Sequence, residues 1–205
     1  MFMTDHVYKV ESSKGSYMYA LRLADGVTLI DTSFPGRGDK IINELQADGF
    51  DQVKRILLTH HDVDHIGNLA QLQQKYQCEV YISETDMPYV QGMKKRDGMK
   101  KIFASLMRIK VPERIQPLPV GNIDDIQIIP SPGHTPGHTC FLFDGVLFAG
   151  DLLRSKNGVL LRSKPMMTWD MEKVTESVKT VSGLRFDWVC PAHGEPVKTS
   201  KIEVS

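Results

Sequence analysis

Thr59-His60-His61-Asp62-Val63-Asp64-His65-Ile66-Gly67 places three imidazoles and two carboxylates within six consecutive positions. Just before it, Val53 to Leu58 reads as a short strand ending in three branched apolar residues, suited to a sheet covered on both faces. Just after it, Gly67-Asn68-Leu69-Ala70 opens a helical pattern in which Leu69, Leu72, Gln73 and Tyr76 recur. The stretch is therefore expected on a strand-to-helix loop, where backbone donors converge and side chains point outward. A polar loop that merely caps a helix would need one or two such residues. Histidine and aspartate at this density are what a borderline-to-hard divalent cation selects.

The remaining composition narrows the class. A chain of 205 residues can bury a substantial core without disulfides, and it is read as one domain, 1–205. Its 25 basic and 25 acidic residues balance, so no global charge points to nucleic acid or to an anionic membrane. Cys78, Cys140 and Cys190 are odd in number, form no Cys-x-x-Cys pair and each lie in or beside an apolar run, so they read as small core residues. No signal segment and no apolar run of membrane-span length is visible, and a cytoplasmic location is expected.

Strands are expected over 7–11, 17–23 and 27–31, with Ala24-Asp25-Gly26 as a tight turn. A helix follows over 39–48, and Arg37, between Gly36 and Gly38, is a candidate substrate contact. Another short strand at 79–82 completes two rounds of strand and helix, which implies parallel pairing. Residues 84–110 differ in character: Lys94, Lys95, Arg96, Lys100, Lys101, Arg108 and Lys110 accompany an apolar stripe through Ile102, Phe103 and Leu106, a basic helical insertion. Beyond it, a strand at 126–129 leads into Pro130-Ser131-Pro132-Gly133-His134-Thr135-Pro136-Gly137-His138, whose prolines and glycines hold an irregular loop. A hairpin turns at Asp144-Gly145 and places Gly150-Asp151 beyond its second strand. Asp170 caps a helix over 171–182, and a last strand, 186–190, runs into Ala192-His193-Gly194.

Each donor cluster thus follows a strand: His60 to His65, then His134, Asp151 and His193. This succession resembles the metallo-β-lactamase superfamily, whose signature is His-x-His-x-Asp-His followed by a distant His, Asp and His. The surroundings resemble it too, in Leu-Ile-Asp-Thr at 29–32, Leu-Thr-His at 58–60, Pro-Gly-His-Thr-Pro-Gly-His at 132–138, Gly-Asp at 150–151 and Ala-His-Gly at 192–194. The resemblance implies an α/β, four-layered αβ/βα sandwich with a two-metal site. It assigns His60, Asp62 and His134 to one metal, Asp64, His65 and His193 to the second, and Asp151 to a bridge. Asp62 departs from the family pattern, which has histidine there. A carboxylate makes that site harder and more negative, so the two divalent ions are expected to be zinc, with iron or manganese favoured relative to it by Asp62. His61 cannot simply substitute, since adjacent residues point in different directions. Asp31, Thr59, Thr135 and His138 are expected to support the ligands.

These assignments imply hydrolysis by a metal-bound hydroxide, with Asp64 and Asp151 as the catalytic carboxylates and Asp64 orienting the nucleophile or moving a proton. The expected substrate is a small thioester, lactone or related ester, as in the glyoxalase II-like branch. An iron-dependent redox enzyme of the same fold, persulfide dioxygenase- or flavodiiron-like, is the alternative, and a phosphodiesterase or ribonuclease ranks third. A small-molecule substrate is the expected partner, without nucleic acid or membrane; a homodimer is left open.

Overall fold

A computed structural model describes residues 1–95, 110 and 114–204. Two six-stranded sheets dominate it. The first contains β1 (Val7–Lys9), β2 (Tyr19–Leu23), β3 (Gly26–Ile30), β4 (Val53–Leu57), β5 (Glu79–Ile82) and β6 (Gln116–Pro117), in that order. Its first three strands are antiparallel neighbours, while β3, β4, β5 and β6 pair in parallel, as the alternation of strands with α1 (Gly38–Ala47) and α3 (Leu69–Tyr76) requires. The second sheet contains β7 (Asn122–Ile123), β8 (Ile126–Pro130), β9 (Thr139–Phe143), β10 (Val146–Gly150), β13 (Trp188–Pro191) and β14 (Val197–Lys198), in the order β14-β13-β10-β9-β8-β7. The turn joining β9 to β10 needs two left-handed residues, and Asp144 and Gly145 supply φ of 50° and 71°.

Strand alternation builds the layers. Tyr19, Leu21, Ile30 and Leu57 from the first sheet meet Ile128, Phe141, Val146 and Phe148 from the second in a core between the sheets. The opposite face of the first sheet, through Leu29, Ile56 and Val80, packs on Ile41 and Leu45 of α1 and Leu72 of α3. The outer face of the second sheet, through Cys140, Leu147 and Val189, packs on Val174, Val178 and Val181 of α5 (Met171–Ser182). The result is the four-layered αβ/βα arrangement. Asp170 caps α5 by accepting from the backbone N–H groups of Glu172 and Lys173. All three cysteines are buried. No helix among the described residues is long and apolar enough to cross a membrane.

Two elements differ from expectation, and a third lies largely outside the described residues. Val63–Ile66 forms a single helical turn, α2, so Asp64 and His65 sit on a helix and not in an open loop. An additional hairpin, β11 (Leu153–Lys156) with β12 (Val159–Arg162), stands apart as a two-stranded sheet turning at Asn157-Gly158. Asn-Gly between apolar-containing segments is a strong hairpin signal. The basic helical insertion near 84–110 is described only at its start, where α4 (Met87–Val90) makes one turn; 96–109 lie outside the described residues.

Candidate metal centre

The strand directions explain why distant residues converge. β3 and β4 run in parallel, as do β10 and β13, and β8 shares their direction because β9 is antiparallel to both its neighbours. The carboxyl ends of all five strands therefore open on one rim. From them emerge Asp31, His60, His134, Asp151 and His193, while α2 carries Asp64 and His65.

Two groups of donors form there. His60, Asp62, His134 and Asp151 make one, and Asp64, His65 and His193 the other; within each, the donor atoms lie within 4.8 Å of one another. Asp151 faces both. Its Oδ2 is 3.3 Å from His134 Nε2, while its Oδ1 is 3.3 Å from His65 Nε2 and 3.4 Å from His193 Nε2. Asp62 Oδ2 lies 3.2 Å from His134 Nε2 and 3.5 Å from His60 Nε2, and Asp64 Oδ2 lies 3.1 Å from His193 Nε2. His60 Nε2, His65 Nε2 and Asp151 Oδ1 are buried and make no hydrogen bond, an arrangement that costs free energy unless a cation takes these atoms. The donor set fits divalent metal: imidazole nitrogens and carboxylate oxygens on both sides, with no thiolate.

The other ring nitrogen of each histidine is held. His65 Nδ1 is 2.8 Å from Asp31 Oδ2, which also accepts from Thr59 Oγ1, and Thr59 Oγ1 lies 3.0 Å from His60 Nδ1. His134 Nδ1 meets Ser163 Oγ at 2.6 Å, and His193 Nδ1 donates to the Gly15 carbonyl at 2.7 Å. Such contacts fix the tautomer that leaves Nε2 for the metal. Asp31 adopts φ of 62°, a left-handed conformation that aspartate tolerates better than most residues and that turns its carboxylate under the Thr59 loop.

Charge within the cluster is arranged in opposition. Burial, then the neighbouring His65, pushes His60 well below the ordinary imidazole range, which keeps it neutral. For His65, burial works downward, but Asp31, Asp64 and Asp151 outweigh it and raise it well above that range. His193 rises to about 10: burial opposes, and Asp151 and Asp64 prevail. Asp151, against the effect of burial, is held well below the carboxylate range by His193, His134 and His65. The raised His65 and His193 beside the depressed Asp151 make imidazolium–carboxylate pairs, in which a divalent cation competes with the imidazole protons.

Of the expected supporting residues, Asp31 and Thr59 touch ligands as described. His138 accepts the Asp151 backbone N–H at Nε2, 3.1 Å, and meets Ser131 Oγ at Nδ1, so it shapes the Asp151 turn. Thr135 turns elsewhere: its hydroxyl donates to Asp86 Oδ2 at 2.7 Å, away from the ligand histidines. Asp86 also accepts from the Gly137 N–H and faces His61 Nδ1 at 2.8 Å, while the His61 ring stacks on Tyr89 at 4.3 Å. His61 thus joins the two ligand-bearing loops through Asp86 and is in neither donor group. Arg37 is also otherwise engaged, donating to the backbone carbonyls of Ser12 and Lys14. Sequence reasoning missed Ser163, Asp86 and the Gly15 carbonyl. The first lies just past the overlooked hairpin, and a backbone carbonyl has no sequence signal.

Comparison with known proteins gives the family and the fold. The Metallo-beta-lactamase superfamily matches residues 14–193, and the chain belongs to that superfamily as a metallohydrolase of its fold. It is 32% identical over 200 residues to the probable metallo-hydrolase YflN of Bacillus subtilis (strain 168), covering 82% of this chain and 75% of that one. It is 34% identical over 140 residues to the hydroxyacylglutathione hydrolase of Xanthomonas axonopodis pv. citri, covering 68% of this chain and 47% of that protein, so it spans about half that relative's length. Among solved structures, TTHA1623 in a di-iron-bound form superposes with a TM-score of 0.73 at 26% identity over 89% of both chains. The Rm3 metallo-beta-lactamase superposes at 0.69 and 24% identity over 92% of this chain and 75% of that one, a likeness of fold.

Proposed function

We propose that the chain hydrolyses a small ester-like substrate, a thioester, lactone or related ester, with two divalent metals held by His60, Asp62 and His134 on one side and Asp64, His65 and His193 on the other. The observation that carries this reading is Asp151, whose two carboxylate oxygens face the two donor groups separately. The metals, when bound, supply a water of lowered pKa and polarise the substrate's acyl oxygen. Asp64 lines the cleft and is partly exposed, which supports a role for its carboxylate in orienting the attacking water or taking its proton. Asp31, Thr59, Ser163 and the Gly15 carbonyl hold the imidazoles so that only Nε2 faces the centre. The cleft beside it has a volume of about 480 Å³, and Phe34, Val63 and Met167 give it apolar walls, which suits a small acyl compound.

A second reading rests on Asp62. A carboxylate where histidine is usual favours iron or manganese relative to zinc, and a relative in the same fold is described in a di-iron form. Metal analysis of freshly purified protein, followed by ester, thioester, lactone and phosphodiester substrates with that metal restored, separates the two. Hydrolysis that falls ~100-fold or more in Asp64→Asn and is lost in His60→Ala and Asp151→Ala supports the first reading. Iron with oxygen consumption and no hydrolysis supports the second, and full turnover in metal-analysed variants rejects the site.

A further inference from the structure

Two buried carboxylates flank the loop that follows β4. In the first sheet β3 and β5 lie on either side of β4 and run parallel to it, so their carboxyl ends open on the same rim. Asp31 follows β3, whereas Asp86 follows β5, is wholly buried and is in neither donor group. The turn that delivers it is local: the backbone N–H groups of Asp86 and Met87 both donate to the Ser83 carbonyl, at 3.1 and 3.0 Å. Its carboxylate then serves two segments. Oδ2 accepts from the Thr135 hydroxyl at 2.7 Å and the His61 backbone N–H at 3.3 Å, and it faces His61 Nδ1 at 2.8 Å. Oδ1 accepts the Gly137 N–H at 2.7 Å. A Cβ at position 137 would stand 2.0 Å from Ser83 Oγ and 2.7 Å from Asp86 Oδ1, so glycine is what lets that backbone come so close. Burial works against the charge of Asp86, but His61, Thr135 and Gly137 hold it below the ordinary carboxylate range. Removing such an acceptor strands every donor aimed at it.

What these two segments carry gives the consequence. His61 lies between His60 and Asp62, and Thr135 follows His134, so both segments bear donors of the first group. The second group is held from elsewhere: Asp31 meets His65 Nδ1, and the Gly15 carbonyl accepts from His193. Asp31 reaches the first group through Thr59, which lies beside His60. We propose that Asp86 is a positioning residue for the His60, Asp62 and His134 site alone, drawing together the two loops that carry its ligands. Asp62 is extended, with φ of −68° and ψ of 148°, and along extended backbone successive side chains point to opposite sides. With His61 turned to Asp86 at both backbone and ring, Asp62 is turned the other way, toward His134. Stacking of Tyr89 on the His61 ring, at 4.3 Å and 12°, keeps that orientation. The inference rests on the metal-centre reading and adds that the first site has a support of its own, which makes the two occupancies separable.

The test is metal affinity by chelator competition in two single-site backgrounds, with zinc as the probe, or ferrous iron if the native chain takes that metal instead. His193→Ala removes a ligand of the second site and His134→Ala a ligand of the first, so each background reports on the other site. Asp86→Ala is expected to weaken binding ~10-fold or more in the His193→Ala background and to leave it within about twofold in the His134→Ala background. Asp86→Asn keeps the volume and one acceptor oxygen; it should show the same selectivity with a smaller loss, and it carries the test where the alanine variant does not fold. A general loosening of the fold would weaken both backgrounds alike. That result, or no change in either background, overturns the inference and leaves the metal centre standing. Failure of the native chain to bind zinc or ferrous iron removes the metal-centre reading and the inference with it.

Discussion

Asp31 Oδ2 lies 2.8 Å from both Thr59 Oγ1 and His65 Nδ1, while Asp31 Oδ1 accepts the Thr59 backbone N–H at 2.8 Å. One buried carboxylate thus fastens the strand that delivers His60 and the helix that delivers His65. Asp31→Ala should weaken metal binding by ~10–100-fold in a chelator competition. Affinity within twofold of the native chain would show that these contacts are incidental to the site.

Asp62 sits where the family pattern has histidine, 3.2 Å from His134 Nε2. Replacing it by histidine removes one negative charge and adds a softer donor, so Asp62→His should raise the share of zinc over iron and manganese taken from an equimolar mixture by several-fold. The metal content of protein refolded in that mixture is the readout. An unchanged ratio means that Asp62 does not set metal preference.

Gly67 closes the opening motif for a packing reason. A Cβ there would stand 2.3 Å from the Pro35 nitrogen and 2.6 Å from the Phe34 carbonyl carbon, backbone atoms that no rotamer change can move. Gly67→Ala should cost about 1–3 kcal/mol in urea unfolding, and it should also disturb the 31–35 loop that carries Asp31. Gly183→Ala is the comparison: its nearest neighbour is 3.5 Å away and its φ is −80°, so stability should barely change.

The thiols give a pH-dependent outcome away from the metal ligands. Burial raises Cys78 to about 11 and Cys140 to about 12. In the unfolded chain a thiol ionises near its ordinary value of about 8.5, so the stability from keeping these groups neutral is complete below that pH. It is lost as pH rises from there toward the folded values. Unfolding free energy should fall through that alkaline window, and thiol-directed labelling at pH 8 should be negligible until denaturant is added. Rapid labelling of the folded chain would contradict the burial of all three cysteines.

Much of the architecture was legible because local periodicity and turn chemistry agree with it. β5 and α5 have the expected bounds, Asp144-Gly145 makes the expected turn, and the alternation from β3 to β5 yields the expected parallel pairing. The β11–β12 hairpin went unread although Asn157-Gly158 announces it, because Leu153-Arg154-Ser155-Lys156 has too little apolar alternation to look like a strand. Thr135 is expected from the sequence to support a ligand histidine, and only the fold shows that its hydroxyl reaches Asp86, forty-nine residues earlier in the chain.

The sequence by itself determined the donors, their order along the chain and the superfamily, because a dense His/Asp motif after an apolar strand is local information. Tertiary structure decided how those donors meet. The shared direction of β8, β10 and β13 brings His134, Asp151 and His193 to one rim, and the facing sheet brings His60 and His65 to meet them. It also decided that His61 turns to Asp86 and that Ser163 and the Gly15 carbonyl hold the rings of His134 and His193. Each of these depends on side-chain direction across elements far apart in sequence. Residue type and spacing do not encode that direction; the packing of one sheet on the other does.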